Sequence, residues 1–183
     1  MFTFCPACTS EKIGFIDGKS FRCPDCGFVY YHNIAAATGC IISVPEPLGE
    51  RLLFLVRGDE PAKGKLDLPG GFVNPGEGAF EGLYRELREE IGWAPHVPPG
   101  VPLAEIFTLF ASFPNVYPYK GIDYNTCDLF FCLRAPGLCE QDLRLDRDEV
   151  TGVRFVRPQD IDFEEIAFDS IRRALRAYLA MQT

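Results

Sequence analysis

No stretch of the chain is apolar for the roughly 20 residues that a membrane-crossing helix needs. The opening residues, MFTFCPACTS, lack a basic segment followed by an apolar run, so no export signal is expected and a cytoplasmic location is. Positive charge is scarce: 18 Lys and Arg stand against 26 Asp and Glu, a net charge of −8. Such a chain repels a nucleic-acid backbone unless a local basic patch compensates, which weighs against a nucleic-acid partner. The acidic excess has two readings, simple solubility or carboxylates gathered for divalent cations. Internal repeats and low-complexity tracts are also absent. What remains is an ordinary globular composition, 47% hydrophobic and 24% charged, over 183 residues. That length suits one well-buried domain and a small appendage.

Without an export signal, the eight cysteines are not expected to form a disulfide framework. Cys40, Cys127, Cys132 and Cys139 lie among apolar residues and are expected to be reduced, as core or near-core hydrophobes. Cys5, Cys8, Cys23 and Cys26 are different, forming two tight pairs, CPAC and CPDC. Four sulfurs complete a tetrahedral zinc shell with no open position, which makes the expected site structural. A segment this small buries too little apolar surface to fold alone, so metal binding would supply the energy. The alternative is a pair of redox-active dithiols. Residues 1–30 carry Lys12, Lys19 and Arg22 against Glu11, Asp17 and Asp25. This neutral balance offers nucleic acid no electrostatic footprint, and a structural or homodimer-forming role is expected instead.

The patterning divides the chain into a ribbon over 1–32 and a larger domain over 35–183. Ala35 to Val44 and Arg51 to Arg57 predict strands around a Pro-Glu-Pro-Leu-Gly turn, with a polar loop over 58–65. Leu103 to Phe113, Cys127 to Leu133 and Gly152 to Val156 predict three more strands. Pro114 to Gly121 is expected to be a loop, because its prolines do not suit a central strand. Asp162 and Glu165 resemble a capping pair for a last helix, in which Ile171, Leu175, Tyr178 and Leu179 recur at helical spacing. Strands interleaved with two helices imply an α/β fold, with a mixed sheet covered on both faces.

The centre of the chain reads LPGGFVNPGEGAFEGLYRELREEIGW, from Leu68 to Trp93. A helix from Phe80 to Ile91 places Phe80, Leu83, Tyr84, Leu87 and Ile91 on one face. Glu86, Glu89 and Glu90 fall together on another face, as neighbours at spacings of three and four. Their mutual repulsion is relieved by a hard cation, magnesium, manganese or calcium; the plainer reading is a solvated acidic face. Gly70 and Gly71 let the preceding loop bring its backbone close to a ligand. Glu77 is placed to reach Arg85 and pin that loop to the helix.

These residues resemble the signature of the Nudix hydrolase family. Its pattern is glycine, five residues, glutamate, seven residues, then Arg-Glu-aliphatic-X-Glu-Glu-X-Gly-apolar. Gly71, Glu77 and the run Arg85-Glu86-Leu87-Arg88-Glu89-Glu90-Ile91-Gly92-Trp93 match every specified position. The resemblance implies a Nudix α/β/α sandwich. It also implies catalytic Mg2+ or Mn2+ bound by Glu86, Glu89, Glu90 and the Gly71 carbonyl, with Glu77 and Arg85 holding the loop. Members often carry a further acid just before a late strand. Glu149 fits that place as metal ligand or base, with Asp148 as the fallback and a plain surface loop acid as the alternative.

A zinc ribbon joined to such a domain resembles the NADH pyrophosphatase branch. That branch carries Ser-Gln-Pro-Trp-Pro-Phe-Pro beyond the box, where this chain has Ser112-Phe113-Pro114-Asn115-Val116-Tyr117-Pro118. The serine, two prolines and an aromatic coincide; the glutamine, tryptophan and middle proline do not. Phe113, Tyr117 and Tyr119, with Arg57, are candidates to bind the substrate base, or the aromatics are core or dimer contacts. The expected activity is hydrolysis of a pyrophosphate bond in a small nucleoside diphosphate–X molecule, a dinucleotide such as NADH, or ADP-ribose or a nucleotide sugar. The alternatives are an RNA-cap-removing enzyme and a ligand-sensing or nucleic-acid-binding regulator on the same scaffold.

Overall fold

The computed structural model describes residues 2–182. The chain divides into two compact units, Met1–Ile34 and Ala35–Thr183. In the first, three short strands, β1 (Gly14–Ile16), β2 (Ser20–Arg22) and β3 (Val29–Tyr31), form an antiparallel sheet. Phe21 is its buried centre, with the Phe2 ring 5.0 Å and the Phe15 ring 4.7 Å away.

The second unit is built on a six-stranded mixed sheet. Its strands are β4 (Ala35–Glu46), β5 (Gly49–Arg57), β6 (Leu66–Asp67), β7 (Thr108–Tyr119), β8 (Ile122–Arg134) and β9 (Val150–Val156). The order runs β6-β5-β4-β8-β7, with β9 against β5. Among the described strands only the β4–β8 pair is parallel, and it lies at the middle of the sheet. Central strands are buried on both faces, which is why β4 and β5 carry continuous apolar runs such as Cys40–Ile42 and Leu52–Val56. One face packs Leu53, Leu55 and Phe131 against helix α1 (Ala79–Glu90); the other packs Ile41, Phe54 and Phe130 against helix α2 (Asp169–Met181).

Helix α1 buries Leu83 and Leu87 completely, as does Ile91 just beyond it. Each such side chain contributes about 1.5–3 kcal/mol. Like-charge pairs along the helix cost about 0.2–0.5 kcal/mol each, so the apolar stripe outweighs the repulsion of the acidic face. No described helix is long and apolar enough to cross a membrane.

Four expectations are corrected. Residues 114–119 are strand rather than loop: β7 runs through Pro114 and Pro118 to Tyr119, and Lys120–Gly121 turns into β8. Among the described residues β7 pairs only with β8, and an edge strand tolerates proline where the missing N–H faces away from its partner. Asp162 caps a single 3-10 turn, Phe163–Glu165, by accepting from Glu164 N; α2 starts later, after Phe168. Leu103–Glu105 is likewise a 3-10 turn, and the strand begins only at Thr108. Of the scattered cysteines, Cys40 is buried and Cys127 and Cys132 half-buried, but Cys139 is exposed, where its thiol donates to Asp142.

Candidate active site and metal centre

Residues 69–73, ahead of α1, lie along the free margin of β4. Thr38 N donates to the Gly71 carbonyl at 2.8 Å, Cys40 N to Pro69 O at 2.9 Å and Val73 N to Ala36 O at 3.0 Å. This close approach needs glycine. A Cβ on Gly70, whose φ is +143°, would stand 2.2 Å from the Thr38 carbonyl oxygen; one on Gly71 would stand 2.6 Å from Glu86 Oε1.

Arg85 ties the loop to the helix. Its Nε and Nη2 donate to Glu77 at 2.8 and 3.0 Å, and Nη2 also to the Phe72 carbonyl at 2.9 Å. Its Nη1 reaches Glu86 at 2.8 Å and Glu89 at 2.7 Å. The Glu77 carboxylate also accepts from Asn74 N at 3.0 Å. Arg85 and the Asn74 N–H hold the Glu77 carboxyl below its ordinary pKa. Glu90 turns back under the loop, where its Oε2 accepts from Gly70 N at 2.8 Å.

The far end of α1 is stitched to the next acidic segment. Arg144 N donates to Ile91 O at 2.8 Å and Asp146 N to Glu90 O at 2.9 Å. Gly58 N donates to Glu149 O at 2.7 Å, so the backbone of the Glu149 loop is fixed beside β5. A cleft of about 390 Å³ results, with Glu86, Glu90, Glu149 and Gly71 among its lining. Glu89 stays outside it, half-exposed on Arg85, and Asp148 is exposed.

These groups fit a hard divalent cation. Burial pushes the Glu90 carboxyl well above the usual carboxylate range, and Asp67, Glu86 and Glu149 nearby push it further. Burial likewise raises Glu86, which Arg85 opposes. Carboxyls that resist ionising together are what a cation of charge two relieves. Glu86 and Glu89 share the one Arg85 nitrogen, so binding a metal through either exchanges an ion pair for a ligand bond.

The cleft continues over the sheet to an aromatic wall. Tyr117 meets Phe72 edge-on with centroids 5.6 Å apart and Phe168 at 5.6 Å; Tyr119 is 6.4 Å away. Arg57 sits beneath, with its guanidinium 5.0 Å from the Phe168 centroid. It is paired to Asp67 at 2.5 Å and donates to Tyr117 Oη at 3.2 Å and Pro61 O at 2.7 Å. Phe113, singled out with these residues, lies elsewhere, against Phe130 and under the Arg173 guanidinium. Sequence reasoning missed Phe72, Asp67 and Phe168. Phe168 arrives because Ala167 N donates to Leu66 O at 2.8 Å, a pairing across a hundred residues that no local pattern announces.

In the N-terminal unit, the sulfurs of Cys5 and Cys26 are 3.6 Å apart and those of Cys8 and Cys23 3.7 Å. A tetrahedron with Zn–S bonds of about 2.3 Å has edges of about 3.8 Å. Among the described residues this is the only set of three or more ligating side chains whose donor atoms all lie within 4.8 Å of one another.

Comparison with known proteins accords with this geometry. The chain is 35% identical over 89 residues to the NAD-capped RNA hydrolase NudC of Chromobacterium violaceum, covering 49% of this chain and 32% of that protein. It is 38% identical over 69 residues to the ADP-ribose pyrophosphatase of Methanocaldococcus jannaschii, covering 38% of each. The matches thus span about a third of the length of these curated relatives. Its fold is similar to the NUDIX domain of Shewanella oneidensis NrtR solved with ADP ribose, with a TM-score of 0.63 at 15% identity over 84% of this chain and 91% of that one. A NUDIX hydrolase from Nitrosomonas europaea matches with a TM-score of 0.58 at 24% identity over 96% and 91%. The family model described as the NUDIX domain matches residues 34–178, most of the chain, and the chain therefore belongs to the Nudix family.

Proposed function

We propose that this chain hydrolyses a pyrophosphate bond in a small adenine-type nucleoside diphosphate–X molecule, a dinucleotide or ADP-ribose, with divalent cations held by Glu86, Glu90 and Glu149. The observation that carries this reading is the single cleft that joins these carboxylates to the aromatic wall of Phe72, Tyr117 and Phe168. A cation bound there supplies charge neutralisation at the phosphate oxygens and an acidified water. Glu149, exposed on the rim of the cleft, would serve either as a further ligand or as the base that takes a proton from the attacking water. Arg85 and Glu77 fix the loop, and the aromatic wall offers flat area for a base. Glu89, held outside the cleft by Arg85, would hold a cation only by giving up that ion pair. Zinc at Cys5, Cys8, Cys23 and Cys26 has a structural role, because four thiolates leave no open position.

Removal of a nucleotide cap from RNA is the second reading, favoured by the similarity to the NAD-capped RNA hydrolase of Chromobacterium violaceum. The test is a magnesium-supplemented panel of NADH, NAD, ADP-ribose, nucleotide sugars, diadenosine polyphosphates, nucleoside triphosphates and NAD-capped RNA. ADP-ribose or an adenine dinucleotide should give the highest kcat/KM. A nucleoside triphosphate well above every dinucleotide would overturn the substrate class, and no turnover of any compound would overturn the activity. Freshly purified protein should carry one zinc per chain by elemental analysis; a substoichiometric value argues against the four-thiolate site.

A further inference from the structure

The floor of the cleft beside the aromatic wall has a construction that the hydrolytic site does not require. In the parallel pair at the sheet's centre, Ala35, Ala37 and Gly39 of β4 stand beside Thr126, Asp128 and Phe130 of β8. The place beside Gly39 is taken by the Phe130 ring, whereas Ala37 and Asp128 both line the cleft, Asp128 although it is only 7% exposed. Its Oδ1 accepts from Thr126 Oγ1 at 2.5 Å and its Oδ2 from the fully buried Ser170 Oγ at 2.7 Å. A carboxylate has about four acceptor positions, so two hydroxyls leave it capacity to spare. Among the described residues that line the cleft, no Lys or Arg pairs with Asp128 in the ion pairs the structure shows. Arg57, the only Lys or Arg among the described lining residues, gives its nitrogens to Asp67, Pro61 and Tyr117. A buried acceptor with free lone pairs, set into an aromatic-walled slot, calls for a donor from the ligand.

We propose that Asp128 is a specificity-determining residue, held by Thr126 and Ser170, whose carboxylate accepts a hydrogen bond from the exocyclic amine of the substrate base and so selects a 6-aminopurine over a 6-oxopurine. The proposal rests on the adenine-type reading of the cleft and names the group that reads the ring. A 6-oxo group would face oxygen with oxygen, leaving both buried and unpaired, which is where selectivity of this kind is largest.

The experiment is calorimetric titration of the full-length protein with AMP, IMP and purine riboside monophosphate, beside a magnesium-dependent ADP-ribose hydrolysis assay. AMP should bind roughly 5- to 150-fold more tightly than IMP, the span expected when a buried polar group is left unpaired. Purine riboside monophosphate, with neither amine nor oxygen, should fall between them. Asp128→Asn should collapse or invert the AMP-to-IMP ratio, because an amide can donate to the 6-oxygen. Equal binding of the three nucleotides, or undetectable binding of all, overturns the proposal with the wild-type protein alone. An unchanged ratio in a folded Asp128→Asn protein overturns it as well. Turnover of ADP-ribose with no AMP preference sinks the role of Asp128 and leaves the pyrophosphohydrolase standing. AMP preference without turnover of any phosphoanhydride does the reverse.

Discussion

Glu90 concentrates the chemistry of the site in one side chain, with its carboxyl desolvated, hydrogen-bonded to Gly70 N and surrounded by other acids. In the folded, metal-free protein Glu90 keeps its proton at pH values where an unfolded chain, with the ordinary carboxylate value of 4.5, has already lost it. The folded state then binds more protons than the unfolded one, so this group's contribution to stability falls as pH rises above about 4.5. Melting temperature measured from pH 5 to 8 in chelator should therefore decline more steeply for wild type than for Glu90→Gln, and magnesium should flatten the wild-type slope. The same variant should lose at least roughly 100-fold in turnover while staying folded. Near-wild-type turnover at saturating magnesium would remove Glu90 from the site. At this scale the sequence was legible wherever spacing is local: Glu86 and Glu90 follow from helical period and the Glu77–Arg85 pair from its place in the box, whereas Glu89, read with the same face, stays outside the cleft. Phe72 and Phe168 were hidden because separate segments bring them together. Asp128 did leave a trace, as a lone acid inside the apolar run CDLFFCL, but a strand pattern says nothing of what its inner face encloses.

Among the elements, the loop before α1 makes the sharpest demand on sequence, and its two glycines separate stability from activity. Gly70→Ala would force a Cβ against backbone at a positive φ, and should cost about 2–4 kcal/mol in denaturant unfolding. Gly71→Ala would press only on the flexible end of Glu86. Its stability should stay within about 1 kcal/mol of wild type. Hydrolysis should nonetheless fall, because the displaced group is a carboxylate of the cleft. The opposite pattern, with Gly70→Ala neutral, would mean that the loop is not hydrogen-bonded along β4 as described. The strands and helices of the second unit were readable from period and composition because most are buried on one or both faces. Residues 114–119 were misread because proline was weighed before position. Beneath the prolines, Phe113, Asn115 and Tyr117 alternate with exposed partners in the period of a strand, and only the order of the sheet shows that this strand lies at the edge. The two-residue β6 was too short to leave any periodic signal.

For the molecule as a whole, a net charge of −8 and a neutral cysteine-rich unit offer little purchase to a polyanion. NAD-capped RNAs of increasing length should therefore show no gain in kcat/KM over the free dinucleotide at physiological salt. A rise with length would point to a basic path that the composition does not reveal, and would favour the cap-removing reading. The proline-bearing margin of the sheet has a consequence at the same scale. An open sheet edge is a template: its unpaired N–H groups recruit a strand from a neighbouring molecule, the first step towards stacked, fibrillar assemblies. Pro114 and Pro118 are four residues apart, so they fall on the same side of β7, and neither has an N–H to offer. Gaps in the row of donors deny an incoming chain a continuous ladder, and the longest edge strand among the described residues becomes a poor seed for self-association.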